Sequence, residues 1–98
     1  MTFEQTLKSE DGSIELTYWS QFSIRLRLTD DKDQTYTWSN PTFITRLYED
    51  LSEGLVGAQY VEVNSAISVK EKSLFISQLA AILQRANHLG WLQNEMEW

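Results

Sequence analysis

The sequence has no cysteine, one histidine, one proline and four glycines. Without cysteine there are no disulfides, no thiolate nucleophile and no cysteine-ligated zinc. A single histidine, His88, leaves little choice of general base for a serine nucleophile, and no serine stands in a Gly-x-Ser-x-Gly elbow. The glycines, Gly12, Gly54, Gly57 and Gly90, are scattered as single turns or caps, so no loop can cradle a phosphate. The longest apolar run, Leu79 to Leu83, falls far short of the ~20 residues that cross a bilayer. The N-terminal MTFEQTLKSE has neither a basic region nor an apolar stretch, so the expectation is a cytoplasmic chain with no signal peptide and no membrane partner. Positive charge is also scarce. Eight bases against fourteen acids give a net charge of −6, which argues against nucleic-acid binding by phosphate neutralisation and against an anionic membrane surface. The same surplus is compatible with a partner protein that presents a basic surface.

What is present describes an ordinary globular chain. Its 98 residues are 42% hydrophobic and 22% charged, one domain spanning 1–98. The best-determined stretch is Ser68 to Trp91, which reads as one amphipathic helix. Ser68 and Glu71 have the spacing of a capping box, and Gly90 followed by Trp91 can close the other end. Phe75, Ile76, Leu79, Ile82, Leu83, Ala86 and Leu89 recur at helical spacing and cover an arc of roughly 140°. No charged residue occurs from Ser73 to Gln84. The back of this helix, with Ser73, Ser77, Ala80, Ala81, Gln84 and also Leu74, is therefore neutral where a solvated face carries mixed charges.

Before it come patterns of period two. Phe3, Gln5 and Leu7 form a weak first strand, and Asp11-Gly12 is a turn. Ile14, Leu16 and Tyr18 make a second strand. After a turn at Ser20-Gln21, Phe22, Ile24, Leu26 and Leu28 make a third. Asp30 to Asp33 turns into Gln34–Trp38, rich in Thr, Tyr and Trp as strands are. Asn40 and Pro41 then start a helix as N-cap and first residue, with Phe43, Ile44, Leu47, Tyr48 and Leu51 as its inner stripe and Gly54 as its stop. Residues 58–64, AQYVEVN, read as a further short strand. Residues 92–98 are expected to be a loose tail, or one tied down through Trp98. The predicted fold class is α+β, a two-layer sandwich in which an antiparallel meander of three to five strands carries two helices on one face.

Candidate site residues follow from charge and from aromatic side chains. Asp30, Asp31 and Asp33 make an oxygen-rich turn, but DDKDQTYTWSNP lacks the glycine and the glutamate that a calcium loop of the EF-hand type needs. A solvated hairpin turn is expected there, with no metal and no cofactor. His88 in the last turn of a helix suits the helix dipole, and no motif sets an acid or nucleophile beside it, so no enzyme is expected. Arg25, Arg27 and Trp19 share the outer face of the second and third strands, where they can grip a partner or simply pack on one another. Glu49, Asp50 and Glu53 lie against the dipole at the end of the first helix, and Lys70 and Lys72 lie against it at the start of the last. Either these acids and lysines pair, or the acids form a patch for a basic partner, joined by Asp30, Asp31 and Asp33 or by Glu95 and Glu97. The expected function is a non-enzymatic acidic protein-binding module of the inhibitor or immunity and anti-defence type. The alternative is a structural subunit, assembly factor or homo-oligomer that uses the neutral helix back or a sheet edge.

Overall fold

The structure, a computed structural model, describes residues 4–92. Four strands, β1 (Gln5–Lys8), β2 (Ile14–Ser20), β3 (Ser23–Thr29) and β4 (Thr35–Trp38), precede three helices, α1 (Pro41–Ser52), α2 (Ala58–Ala66) and α3 (Lys72–His88). The sheet is an antiparallel meander in the order β1-β2-β3-β4. The α+β class and the meander agree with the sequence reading. Phe3 and the tail residues Glu95, Met96, Glu97 and Trp98 lie outside the described residues.

Alternation decides which sheet face is covered. Ile14, Leu16, Ile24, Leu26 and Leu28 are all at most 3% exposed and point to one side. Against that side α3 lies over β1 and β2, and α1 lies over β3, while α2 packs on α1. Ile44 and Leu47 of α1, Val63 of α2 and Leu79, Leu83 and Ala86 of α3 complete the core with no exposure at all. Aromatic stacking closes its margins: Tyr18 on Trp91 at 5.0 Å between ring centres, and Trp38 on Phe43 at 5.9 Å. Leu92, at the head of the expected loose tail, is buried with Trp91.

Two boundaries with local signals, the start of α1 and the end of α3, fall where those signals put them. Asn40 accepts the N–H groups of Thr42 and Phe43 at 2.9 and 3.3 Å, with Pro41 as the first helical residue. At the end of α3 the Gly90 N–H bonds the Asn87 carbonyl and the Trp91 N–H bonds the Ala86 carbonyl. That is the Schellman arrangement, with Gly90 at φ 81°.

Four expectations are corrected. Residues 58–64 are not a strand but most of α2. Its inward residues Tyr60, Val63 and Ile67 recur at helical spacing, which the β-branched composition hides. The capping box at Ser68 does not form, because α3 begins at Lys72 and Glu71 makes no side-chain cap. The β2–β3 turn is Gln21-Phe22 rather than Ser20-Gln21. A bulge at Trp19 shifts the register, so Ser20 faces Ser23 and Phe22 sits at the tip, 74% exposed. Leu89, assigned to the inner stripe, is 47% exposed beyond the last turn.

Candidate functional site

Asp30 begins the β3–β4 turn and is only 5% exposed. Its Oδ1 accepts the N–H groups of Lys32 at 2.9 Å and Gln34 at 3.1 Å, folding the turn around the carboxylate. Its Oδ2 reaches across to the N–H of Ser68 at 3.2 Å. Burial alone would raise this carboxyl, but the N–H groups of Gln34, Lys32 and Ser68, with the nearby Lys32 charge, together hold it below its ordinary value. Two more bonds run across the same junction. The Asp31 N–H donates to the Ser68 carbonyl at 3.0 Å, and the Asp31 Oδ2 accepts the Lys70 N–H at 2.7 Å. The turn therefore holds the segment that leads into α3. The Ser68 N–H, which Glu71 would accept in a capping box, is already taken by Asp30.

A depression of about 570 Å³ opens beside this junction. The β1–β2 turn supplies Asp11, the β3–β4 turn supplies Asp30, Asp31 and Asp33, and the start of α3 supplies Lys70, Glu71, Leu74, Phe75 and Gln78. Five carboxylates and one ammonium line it, and Leu74 is 53% exposed at its wall. Asp11 is itself organised by its turn. The N–H and hydroxyl of Ser13 and the hydroxyl of Ser9 all donate to its Oδ1, at 3.0, 2.7 and 2.8 Å, and hold its carboxyl below the usual range. Asp33, at φ 60°, and Glu71 are exposed, and the turn does not use their side chains.

The other predicted residues lie elsewhere. Glu49, Asp50 and Glu53 close α1, and they do not pair with Lys70 or Lys72. The Lys72 ammonium instead donates to the carbonyls of Asn64 and Ile67 at the end of α2, at 3.2 and 3.4 Å. Carbonyls at a helix C-terminus are the negative end of its dipole, so this lysine has a partner without any carboxylate. Asp50 accepts the Tyr60 N–H at 3.0 Å and so caps α2 from α1. Gly57 lets it approach, since a Cβ there would stand 2.1 Å from Asp50 Oδ1. Trp19, Arg25 and Arg27 do share the sheet face opposite the helices, where each is half-buried. The Arg25 guanidinium lies 5.4 Å from the Trp19 ring centre, the Trp19 N–H donates to Glu4, and Arg27 forms an ion pair with Glu15 opposite it in register.

Sequence reasoning placed three of the five groove acids in one turn and missed Asp11 and Glu71. In the sequence Asp11 reads only as a turn residue and Glu71 only as a cap. Among the described residues no group of three or more His, Cys, Asp or Glu is placed to hold a metal ion. No helix among them is long and apolar enough to cross a membrane. Comparison of the chain with protein-family models, with curated proteins and with solved structures finds no match in any of the three.

Proposed function

We propose that this chain is a cytoplasmic, non-enzymatic protein-binding module that receives a basic segment of a partner protein in the groove between the β1–β2 turn, the β3–β4 turn and the start of α3. The carrying observation is the lining: Asp11, Asp30, Asp31, Asp33 and Glu71 against Lys70 alone, around a depression of about 570 Å³. Charges of one sign around a concave wall focus the field and raise the local concentration of an oppositely charged partner. Leu74, 53% exposed beside them, offers an apolar contact that the stem of a lysine or arginine can cover. The net charge of −6 acts in the same direction at longer range. An inhibitor, or an immunity or anti-defence protein, that covers a basic surface is the role most in keeping with this lining.

The test separates the charges that build the groove from those that are free to bind. Glu71→Lys with Asp33→Asn removes negative charge from exposed positions and leaves the amide acceptors Asp30, Asp31 and Asp11 in place. A fluorescein-labelled arginine- and lysine-rich peptide is titrated into wild type and variant, with anisotropy as the readout and circular dichroism as the folding control. Salt-dependent binding by wild type and clear weakening in the folded variant support the reading. Equal binding by both, or none by wild type at low salt, overturns it.

A further inference from the structure

Helix α3 has an outward stripe as regular as its buried one. Glu71, Leu74, Gln78, Ala81, Arg85 and His88 follow one another at alternating spacings of three and four, the repeat of a two-helix seam. All are exposed except Gln78, which is half-buried. The first three line the acidic groove. The last three, with Gln84 and Leu89, line a second depression of about 520 Å³ near the other end of the helix. Charge is divided the same way. Glu71 and the groove carboxylates stand at the start of α3, Arg85 and His88 in its last turn, and no charged residue lies between Ser73 and Gln84.

We propose that a second copy of this chain docks on this stripe, antiparallel, about a two-fold axis between Gln78 and Ala81. The register follows from the spacing. Glu71 of each copy faces His88 of the other, Leu74 faces Arg85, and Gln78 faces Ala81. Each Leu74, 53% exposed in the single chain, enters the other copy's depression between Ala81, Arg85, His88 and Leu89. The methyl of Ala81 lets the two helices approach closely at the axis. Each acidic groove receives the Arg85 and His88 of the opposite copy.

A parallel pairing would set Glu71 against Glu71 and Arg85 against Arg85, so charge selects the antiparallel one. It also explains the uncharged middle of α3, since two chains of net charge −6 can meet there with no carboxylate facing another. A helix of 17 residues is roughly 25 Å long at 1.5 Å per residue. One such contact buries less than the ~1,200 Å² at the low end of standard interfaces, so the dimer is weak and reversible. The inference rests on the reading above in one respect, that the groove is a receptor for positive charge.

Sedimentation equilibrium of the intact chain, carried up to sub-millimolar concentration, is the experiment. Wild type is expected to show a reversible monomer–dimer equilibrium. Ala81→Glu, an exposed change to a good helix former, is expected to weaken it by at least about tenfold, because the two new carboxylates meet at the axis. Arg85→Glu/His88→Glu and Glu71→Lys/Asp33→Asn should each pair poorly alone, and an equimolar mixture should pair better than either, since one groove keeps its native contacts with Arg85 and His88 and, in the other, Glu71→Lys meets His88→Glu. A wild type that stays monomeric throughout, an Ala81→Glu dimer as tight as wild type, or a mixture that does not pair each overturns the proposal. Failure of the groove reading is seen separately. Ala81→Glu leaves the groove lining intact, so its binding of the labelled basic peptide tests the groove with pairing removed.

Discussion

The β3–β4 turn and the end of α1 carry three carboxylates each, and the chain uses them differently. In the turn, Asp30 is buried and accepts three main-chain N–H groups, Asp31 accepts a fourth, and Asp33 is exposed with φ 60°. At the end of α1 only Asp50 has such a task, the Tyr60 N–H at the start of α2. Glu49 and Glu53 lie in the last turn of a helix that has no basic residue there. In both places an acid that looks like surface charge in the sequence is an acceptor for amides that no helix or sheet ladder satisfies. Buried N–H groups need partners, and a carboxylate can serve several at once. The regions differ in what remains. The turn leaves exposed charge beside a depression, and the helix end leaves Glu53 exposed at a C-cap.

The sharpest way to break the comparison is Asp30→Ala, for which we expect the largest loss of stability of any single acid in the chain. It removes the acceptor for Lys32, Gln34 and Ser68 together, and so unties the turn from the entry to α3. Urea unfolding should show a lowered midpoint, and hydrogen exchange should show lost protection at Ser68 and Lys70. The pH dependence has a definite sign. The Asp30 carboxyl is held below its ordinary 3.8, so its contribution is fully present above that value and is lost as pH falls through the depressed folded value. Wild type should therefore lose stability faster than Asp30→Ala as pH falls below about 3.8, and the gap between them should narrow. Asp11 has the same sign and is smaller in effect, because it is exposed and the solvent screens it.

Next in size is the junction between α1 and α2. Asp50→Ala should cost about 1 kcal/mol, as loss of a helix N-cap does. Gly57→Ala should cost about 2 kcal/mol, from a residue at φ 108° and a Cβ 2.1 Å from the Asp50 carboxylate. The informative result is the double variant. Removing the carboxylate also removes the clash, so the two losses should sum to more than the double variant shows. Strict additivity in chemical denaturation would mean that Asp50 is not held against Gly57.

That junction also shows where the sequence stops being legible. The meander, the Asn40-Pro41 start of α1 and the Gly90 end of α3 are each written within a few adjacent residues, and each is where those residues put it. The helical state of residues 58–66 is not, since Gly57 supplies no side-chain cap and the acceptor for the Tyr60 N–H lies ten residues back. Val61 and Val63 favour a strand locally, although Tyr60, Val63 and Ile67 have helical spacing. At Ser68 the error has the same origin. The capping-box spacing is present in the sequence, and Asp30, 38 residues away, takes the Ser68 N–H that Glu71 would accept in it. The groove repeats the pattern: Asp11, the Asp30 turn and Glu71 come from three separate elements. Their meeting follows from α3 lying over β1 and β2, which no local spacing encodes.

The smallest effect tests whether Glu49 and Glu53 have any structural task. Glu53 is the C-cap of α1; its N–H bonds the Glu49 carbonyl, and its side chain is exposed. An acid there opposes the helix dipole, and Glu49 and Glu53 form a like-charged pair four residues apart. Glu53→Lys should therefore stabilise the chain by about 0.5 kcal/mol at low salt, with the gain fading as salt is added. It should leave basic-peptide binding in the groove almost unchanged, because Glu53 is not part of the lining. The same reversal at Asp50, which looks equivalent in the sequence, should destabilise. If Glu53→Lys destabilised too, both ends of the comparison would be amide-accepting clusters, and the acids would differ only in how many amides they hold.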